Sequence, residues 1–155
     1  MTTLASPADL VPLLSTFSRA TLASGMQLFH GGAFGPGKPL SGITHGMWFS
    51  TDSALARQYA CFGSAGIPTY LLQVMVLRDL NVILLPNAPL RMLKRHYGDF
   101  LPQHAMINRD LATSFKTMGV DGMAFQEEVS HAGDFTEVFL GDVQHNVSVV
   151  SHQPS

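Results

Sequence analysis

The sequence predicts an α+β domain whose strands form two small, mainly antiparallel sets flanked by helices, and three observations carry that expectation. A length of 155 residues is that of one domain, large enough to bury a core without disulfides. Apolar positions recur at helical spacing near the N-terminus and between 86 and 119, while short runs rich in Val, Ile, Leu and aromatics fill the rest. Hydrophobic residues make up 46% and charged residues 13%, which excludes a disordered or fibrous chain and favours a core with an uncharged cleft.

Ser6, Pro7 and Asp9 provide a cap, a first-turn proline and an early carboxylate, and Leu10, Val11, Leu13, Leu14 and Phe17 follow at helical spacing. A helix over 7–22 is predicted, inside an N-terminal helical segment 1–25 that Gly25 closes. Residues 26–30 read as a buried strand entering a glycine-rich loop with Gly31, Gly32, Gly35 and Gly37, which should form a mobile rim. A second strand, 47–50, is followed by Asp52 or Ser53 as cap of a helix carrying Ala54, Ala56, Tyr59 and Ala60.

Residues 70–77 and 80–85 read as two buried strands divided by Arg78 and Asp79. Between 86 and 119 the pattern becomes helical, with inward Leu90, Leu93, Leu111, Phe115 and Met118 and a break near Pro102. Strand signals return at 122–125, 136–140 and 147–150. No repeat or low-complexity block interrupts the order, so 1–155 reads as a single domain.

Composition removes several functions. The net charge is −2 and the nine Lys and Arg are scattered apart from Arg91, Lys94 and Arg95, so a broad nucleic-acid face is missing. A single cysteine, Cys61, allows neither an internal disulfide nor a cysteine-based zinc site. None of the seven histidines has the i, i+4 spacing of a zinc protease, and Glu128 with His131 is an isolated i, i+3 pair, so no metal is expected. The first residues lack the charge and continuous apolar run of a signal peptide or membrane span, which points to action in a cytoplasm without a membrane partner.

Three separated pieces carry candidate chemistry: 28–32 (Leu-Phe-His-Gly-Gly), 46–52 (Gly-Met-Trp-Phe-Ser-Thr-Asp) with Tyr59 on the following helix, and 136–139 (Thr-Glu-Val-Phe). Their order resembles the ADP-ribosyltransferase superfamily in its His-Tyr-Glu branch, which includes diphtheria-like toxins and the poly-ADP-ribose polymerases. The resemblance spans 26–150. His30-Gly31 resembles the first motif, Phe49-Ser50-Thr51 the second, and Glu137 the glutamate that opens a late strand. Tyr59 resembles the second aromatic of the nicotinamide pocket, and Val120-Asp121-Gly122-Met123-Ala124 the segment that often precedes the catalytic strand in small bacterial members.

The resemblance implies two small sheets around an NAD cleft, NAD as co-substrate, and transfer of ADP-ribose to a macromolecule by a small bacterial or phage toxin or effector, with an immunity or antitoxin protein as a partner. Glu137 and His30 are the implied catalytic residues; His30, Gly31, Phe49, Ser50 and Tyr59 are the implied NAD contacts. The residue types suit that chemistry. Cleavage of the nicotinamide–ribose bond passes through an oxocarbenium-like sugar that a carboxylate such as Glu137 stabilises. His30 suits a ribose hydroxyl, the Gly31 backbone the carboxamide, Phe49 and Tyr59 the flat nicotinamide ring, and Ser50 a further hydrogen bond.

Two positions depart from the branch. Phe49 stands where Tyr is usual, which keeps stacking and loses a hydroxyl; Phe135, two before Glu137, stands where arginine-modifying transferases carry Glu, which argues against arginine as acceptor. Plainer readings stand beside these: a lone strand Glu is most often solvated, His30 a satisfied histidine beside a turn, Trp48 and Phe49 sheet core, and Tyr59 a packing residue. Glu127 and Glu128 are rival carboxylates. An NAD glycohydrolase on the same fold is the main alternative, followed by a small-molecule transferase like the rifamycin-modifying enzymes, a catalytically silent nucleotide-binding module, and a tRNA phosphotransferase, for which basic residues are few.

Overall fold

A computed structural model describes residues 11–12, 14–44, 46–60, 66–86, 104–126 and 137–154. Among the described residues the strands and the longer helices follow in the chain order β1 (Arg19–Leu22), β2 (Gln27–Gly32), β3 (Met47–Ser50), α1 (Ser53–Ala60), β4 (Tyr70–Val76), β5 (Leu80–Pro86), α2 (His104–Met118), β6 (Gly122–Gln126), β7 (Glu137–Leu140) and β8 (Val147–Pro154). The mixed α+β content follows the sequence pattern.

The strands make one curled sheet in the order β1-β5-β6-β7-β3-β2-β4-β8. Two separate sheets were the expectation, and this is corrected. The two sets exist as halves, β1-β5-β6-β7-β3 and β2-β4-β8, but Phe29 pairs with Ser50 and joins them through that one register pair of β2 and β3. By contrast β2 meets β4 at every residue from Gln27 to Gly32. All neighbours are antiparallel except β5 and β6, between which α2 provides the crossover a parallel pair requires.

The N-terminal helix is shorter than predicted. Helical backbone stops at Leu14, where the Ser15 hydroxyl turns back on the Val11 carbonyl at 2.7 Å, and Arg19–Leu22 is strand β1. Beyond Phe17 the apolar spacing of three and four gives way to alternation, with Arg19 and Thr21 exposed and Leu22 buried, and pairing with β5 satisfies that backbone. Residues 1–10, including Ser6, Pro7 and Asp9, lie outside the described residues, as do 87–103 with the first of the two helices predicted there. The second of those helices is α2. Strand β8 runs four residues past the predicted end at Val150.

Strand alternation splits the core. Val138 and Leu140 of β7 join Leu28, Phe49, Leu72, Val74 and Val82 on one side of the sheet. Phe139, between them, joins Ile83, Leu85, Leu111 and Phe115 on the other, under α2. Its ring lies 5.1 Å from that of Trp48 and 5.9 Å from that of Phe115. Strand β7 is thus buried on both faces, as its unbroken apolar run requires. Truncating a ring held like Phe139 costs about 3–5 kcal/mol.

The Asp121-Gly122 segment registers this central region. The Asp121 carboxylate accepts from the Asn81 amide and from Arg78, each at 2.9 Å, and so ties the start of β6 to the start of β5. Gly122 is needed for close approach, because a Cβ there would overlap the Phe139 carbonyl of β7.

Candidate functional site

Strand β3 ends at Ser50, and a tight turn reverses the chain into α1. Asp52 makes that turn: its carboxylate accepts from the Ala54 amide at 2.8 Å, the N-cap bond, and its own amide donates to the Ser50 hydroxyl at 3.1 Å. Of the two predicted caps, Asp52 is the one used. The turn lays α1 across β2 at Gly31, where a Cβ would collide with the Ala56 carbonyl, so only glycine admits the helix. Gly31 therefore has a packing reason of its own.

His30 sits where β2 and β3 part. Its Nδ1 lies 2.6 Å from the Trp48 carbonyl; a carbonyl only accepts, so Nδ1 carries the proton and Nε2 presents its lone pair. The ring meets Phe49 edge-on, with centroids 6.1 Å apart and planes at 68°. Burial lowers the His30 pKa from its usual value, and the bond to Trp48 opposes that only in part. The neutral, acceptor form is thus favoured at neutral pH, although the side chain stays partly accessible.

Gly32 lies against the other ring nitrogen. A Cβ at this position would lie 3.0 Å from His30 Nε2, so the second glycine of the His-Gly-Gly sequence keeps a side chain off that edge. The sequence pattern alone does not reveal this, because strand residues i and i+2 share a face only once the strand extends that far.

Glu137 opens β7, half-buried, directly across from Ser50 of β3 and Phe125 of β6. Phe29, Ser50 and Glu137 therefore stand in one lateral row, with His30 the next residue after Phe29. At about 4.8 Å between strands, the row places the β2 and β7 positions about 10 Å apart. Alternation sets Ser50 and Glu137 on the side of Trp48 and Phe139, and His30 and Phe49 on the side of Leu28 and Val138. The two pairs meet around the β2/β3 junction and do not share a single sheet face.

Phe49 is 3% exposed and Ser50 2%, so the first is a core ring supporting His30 and the second anchors the turn through Asp52. Tyr59 lies on α1, but its side chain is outside the described residues, as are Cys61, Glu127, Glu128, His131, Phe135 and Thr136. The glycine-rich loop packs on the sheet at two points. Phe34 stacks on His152 of β8 at 5.8 Å, and Gly35 is buried where a Cβ would come within 2.6 Å of the Tyr70 ring. His30, Leu72 and His152 also share a lateral row across β2, β4 and β8, a proximity that no local motif announces.

A cleft of about 620 Å³ lies elsewhere, beside Asp121 and Gly141 at the other end of β7 from Glu137, and none of the residues discussed for NAD lines it. The site is therefore placed by the chemistry at the β2/β3 junction and not by cavity size. Among the described residues no cluster of three or more His, Cys, Asp or Glu is set to hold a metal, and no helix is long and apolar enough to cross a membrane. The chain matches no protein-family model, no curated protein and no solved structure.

Proposed function

We propose that the protein is an NAD-dependent ADP-ribosyltransferase acting on a macromolecule, with Glu137 and His30 as its catalytic residues. The observation that carries the reading is the pairing of a histidine held with Nε2 as acceptor beside a side-chain-free Gly32 with a half-buried glutamate two strands away in the adjoining row. Two acceptors suit the hydroxyl donors of a sugar: Nε2 accepts from a ribose hydroxyl, and the space a Cβ would fill at Gly32 admits it. Substrate would lie across the β2/β3 junction to reach both residues.

In the reaction the bond from the ribose anomeric carbon to the nicotinamide nitrogen breaks, and its electron pair neutralises the pyridinium. Positive charge then spreads over the anomeric carbon and ring oxygen, where the Glu137 carboxylate stabilises it. An acceptor oxygen or nitrogen captures the sugar and gives up its proton. Phe49 supports His30 from the core, Gly31 seats α1, and Ser50 holds the turn, so these three act by positioning. The resemblance adds Tyr59 as the stacking aromatic. Capture by water in place of an acceptor gives the glycohydrolase alternative, which the same residues serve.

The test is release of nicotinamide from NAD by wild type and by Glu137→Ala, with and without cell lysate. Release that needs lysate, labels a macromolecule and falls at least about 100-fold in the variant is the expected result. Lysate-independent release would identify the glycohydrolase. No release by wild type, or an unaffected variant, would overturn the assignment.

A further inference from the structure

We propose that His152 of β8 is a positioning residue for the reaction: stacked on Phe34, it holds the chain leaving β2 so that Gly32 keeps its place beside His30 Nε2. The inference rests on the NAD reading of His30 and adds to it a residue from the opposite end of the sheet half β2-β4-β8.

His30, Leu72 and His152 stand in one lateral row, so their side chains leave the same face of the sheet. Two strand spacings put the His30 and His152 positions about 10 Å apart. Leu72 lies between them in the core, and Phe34 packs against that same core cluster. The Phe34 ring then stacks on His152, with centroids 5.8 Å apart and planes at 30°.

Only Ala33 separates Gly32 from Phe34, and two residues of extended chain span at most about 7 Å. A ring fixed on β8 therefore leaves the end of β2 little slack. Gly35 tightens the hold, because a Cβ there would come within 2.6 Å of the Tyr70 ring, and Tyr70 is also the ladder partner of Gly32. Strand ends fray first, and the end fixed in this way is the one that borders His30 Nε2.

The hold is one of packing. His152 Nδ1 is buried and makes no hydrogen bond among the described residues, so this nitrogen contributes nothing to it. A buried polar atom without a partner costs stability. Phenylalanine at position 152 would keep the stack and remove the unpaired nitrogen.

The experiment compares the full chain with Phe34→Ala, His152→Ala, their double variant and His152→Phe. It reads KM and kcat for nicotinamide release from NAD and, without NAD, the His30 imidazole signals by NMR. Each single alanine variant is expected to raise KM about tenfold with a smaller change in kcat, and to shift the His30 signals. The double variant should do no more than either single one, since both act through one contact, and His152→Phe should behave like wild type. Additive effects, a His152→Phe as impaired as His152→Ala, or unmoved KM and His30 signals in both single alanine variants would each overturn the proposal. No release by wild type would overturn the NAD reading and this inference with it, whereas an active wild type with indifferent alanine variants would overturn this inference alone.

Discussion

Nδ1 of His30 donates to the main-chain carbonyl of Trp48 across 2.6 Å, at the place where strands β2 and β3 separate after their one register pair. The side chain thereby serves a carbonyl next to the parted ladder, and one bond sets both the ring's tautomer and its position. The chemistry of His30 and the geometry of the sheet are in this sense one feature.

Stability should depend on His30 below neutral pH. Burial makes the ring harder to protonate in the folded chain than in the unfolded one, where its value is near 6.5. The unfolded chain therefore takes up more protons as pH falls through that value, and folding weakens toward the lowered folded-state value. The His30 contribution is fully present above pH 6.5. In urea titrations, the stability of wild type relative to His30→Asn is expected to shrink between about pH 7.5 and 5; a constant difference would show that His30 does not titrate differently on folding.

Gly31→Ala places a Cβ against the Ala56 carbonyl, a main-chain atom that moves only with α1. We expect a loss of about 1–3 kcal/mol, while Gly42→Ala, which meets nothing within 4 Å, stays within about 0.5 kcal/mol. Equal midpoints for the two variants in chemical denaturation would refute the packing argument.

Gly32→Ala tests Nε2. The added methyl lies 3.0 Å from that atom, and the ring cannot back away without losing Trp48. The fold should survive while KM for NAD rises about tenfold with a smaller change in kcat. An unchanged KM would remove Nε2 from the list of substrate contacts.

Asp52→Ala removes the N-cap of α1, and a loss of about 1 kcal/mol is expected. Because α1 seats on Gly31, protection of the 54–57 amides in hydrogen exchange should fall with it. Wild-type protection in the variant would mean that packing alone holds the helix.

Much of the placement of strands along the chain was legible because apolar patterning is local: β3, β4, β5 and β6 begin and end within about two residues of their predicted limits. The helix predicted over 7–22 failed at its second half because Ser15, Thr16 and Ser18 are weak helix formers and the β5 edge offers Arg19–Leu22 a better set of backbone partners. In the candidate site, His30, Ser50 and Glu137 were visible as residue types, but the surroundings that define their roles were not. Phe49 shows why: an aromatic at a strand end reads the same whether it faces a ligand or the core, and only burial distinguishes the two.

The α+β composition, the positions of most elements and the His30-Gly31, Ser50 and Glu137 candidates are readable along the chain, since periodicity, capping chemistry and residue type are properties of short stretches. Tertiary contacts set the joining of the two strand sets into one sheet at Phe29 and Ser50, the seat of α1 on Gly31 and the His30 tautomer that Trp48 selects. Each of these is a contact between residues far apart in the chain, set by how strands register and how closely backbones approach, and no local pattern encodes those distances.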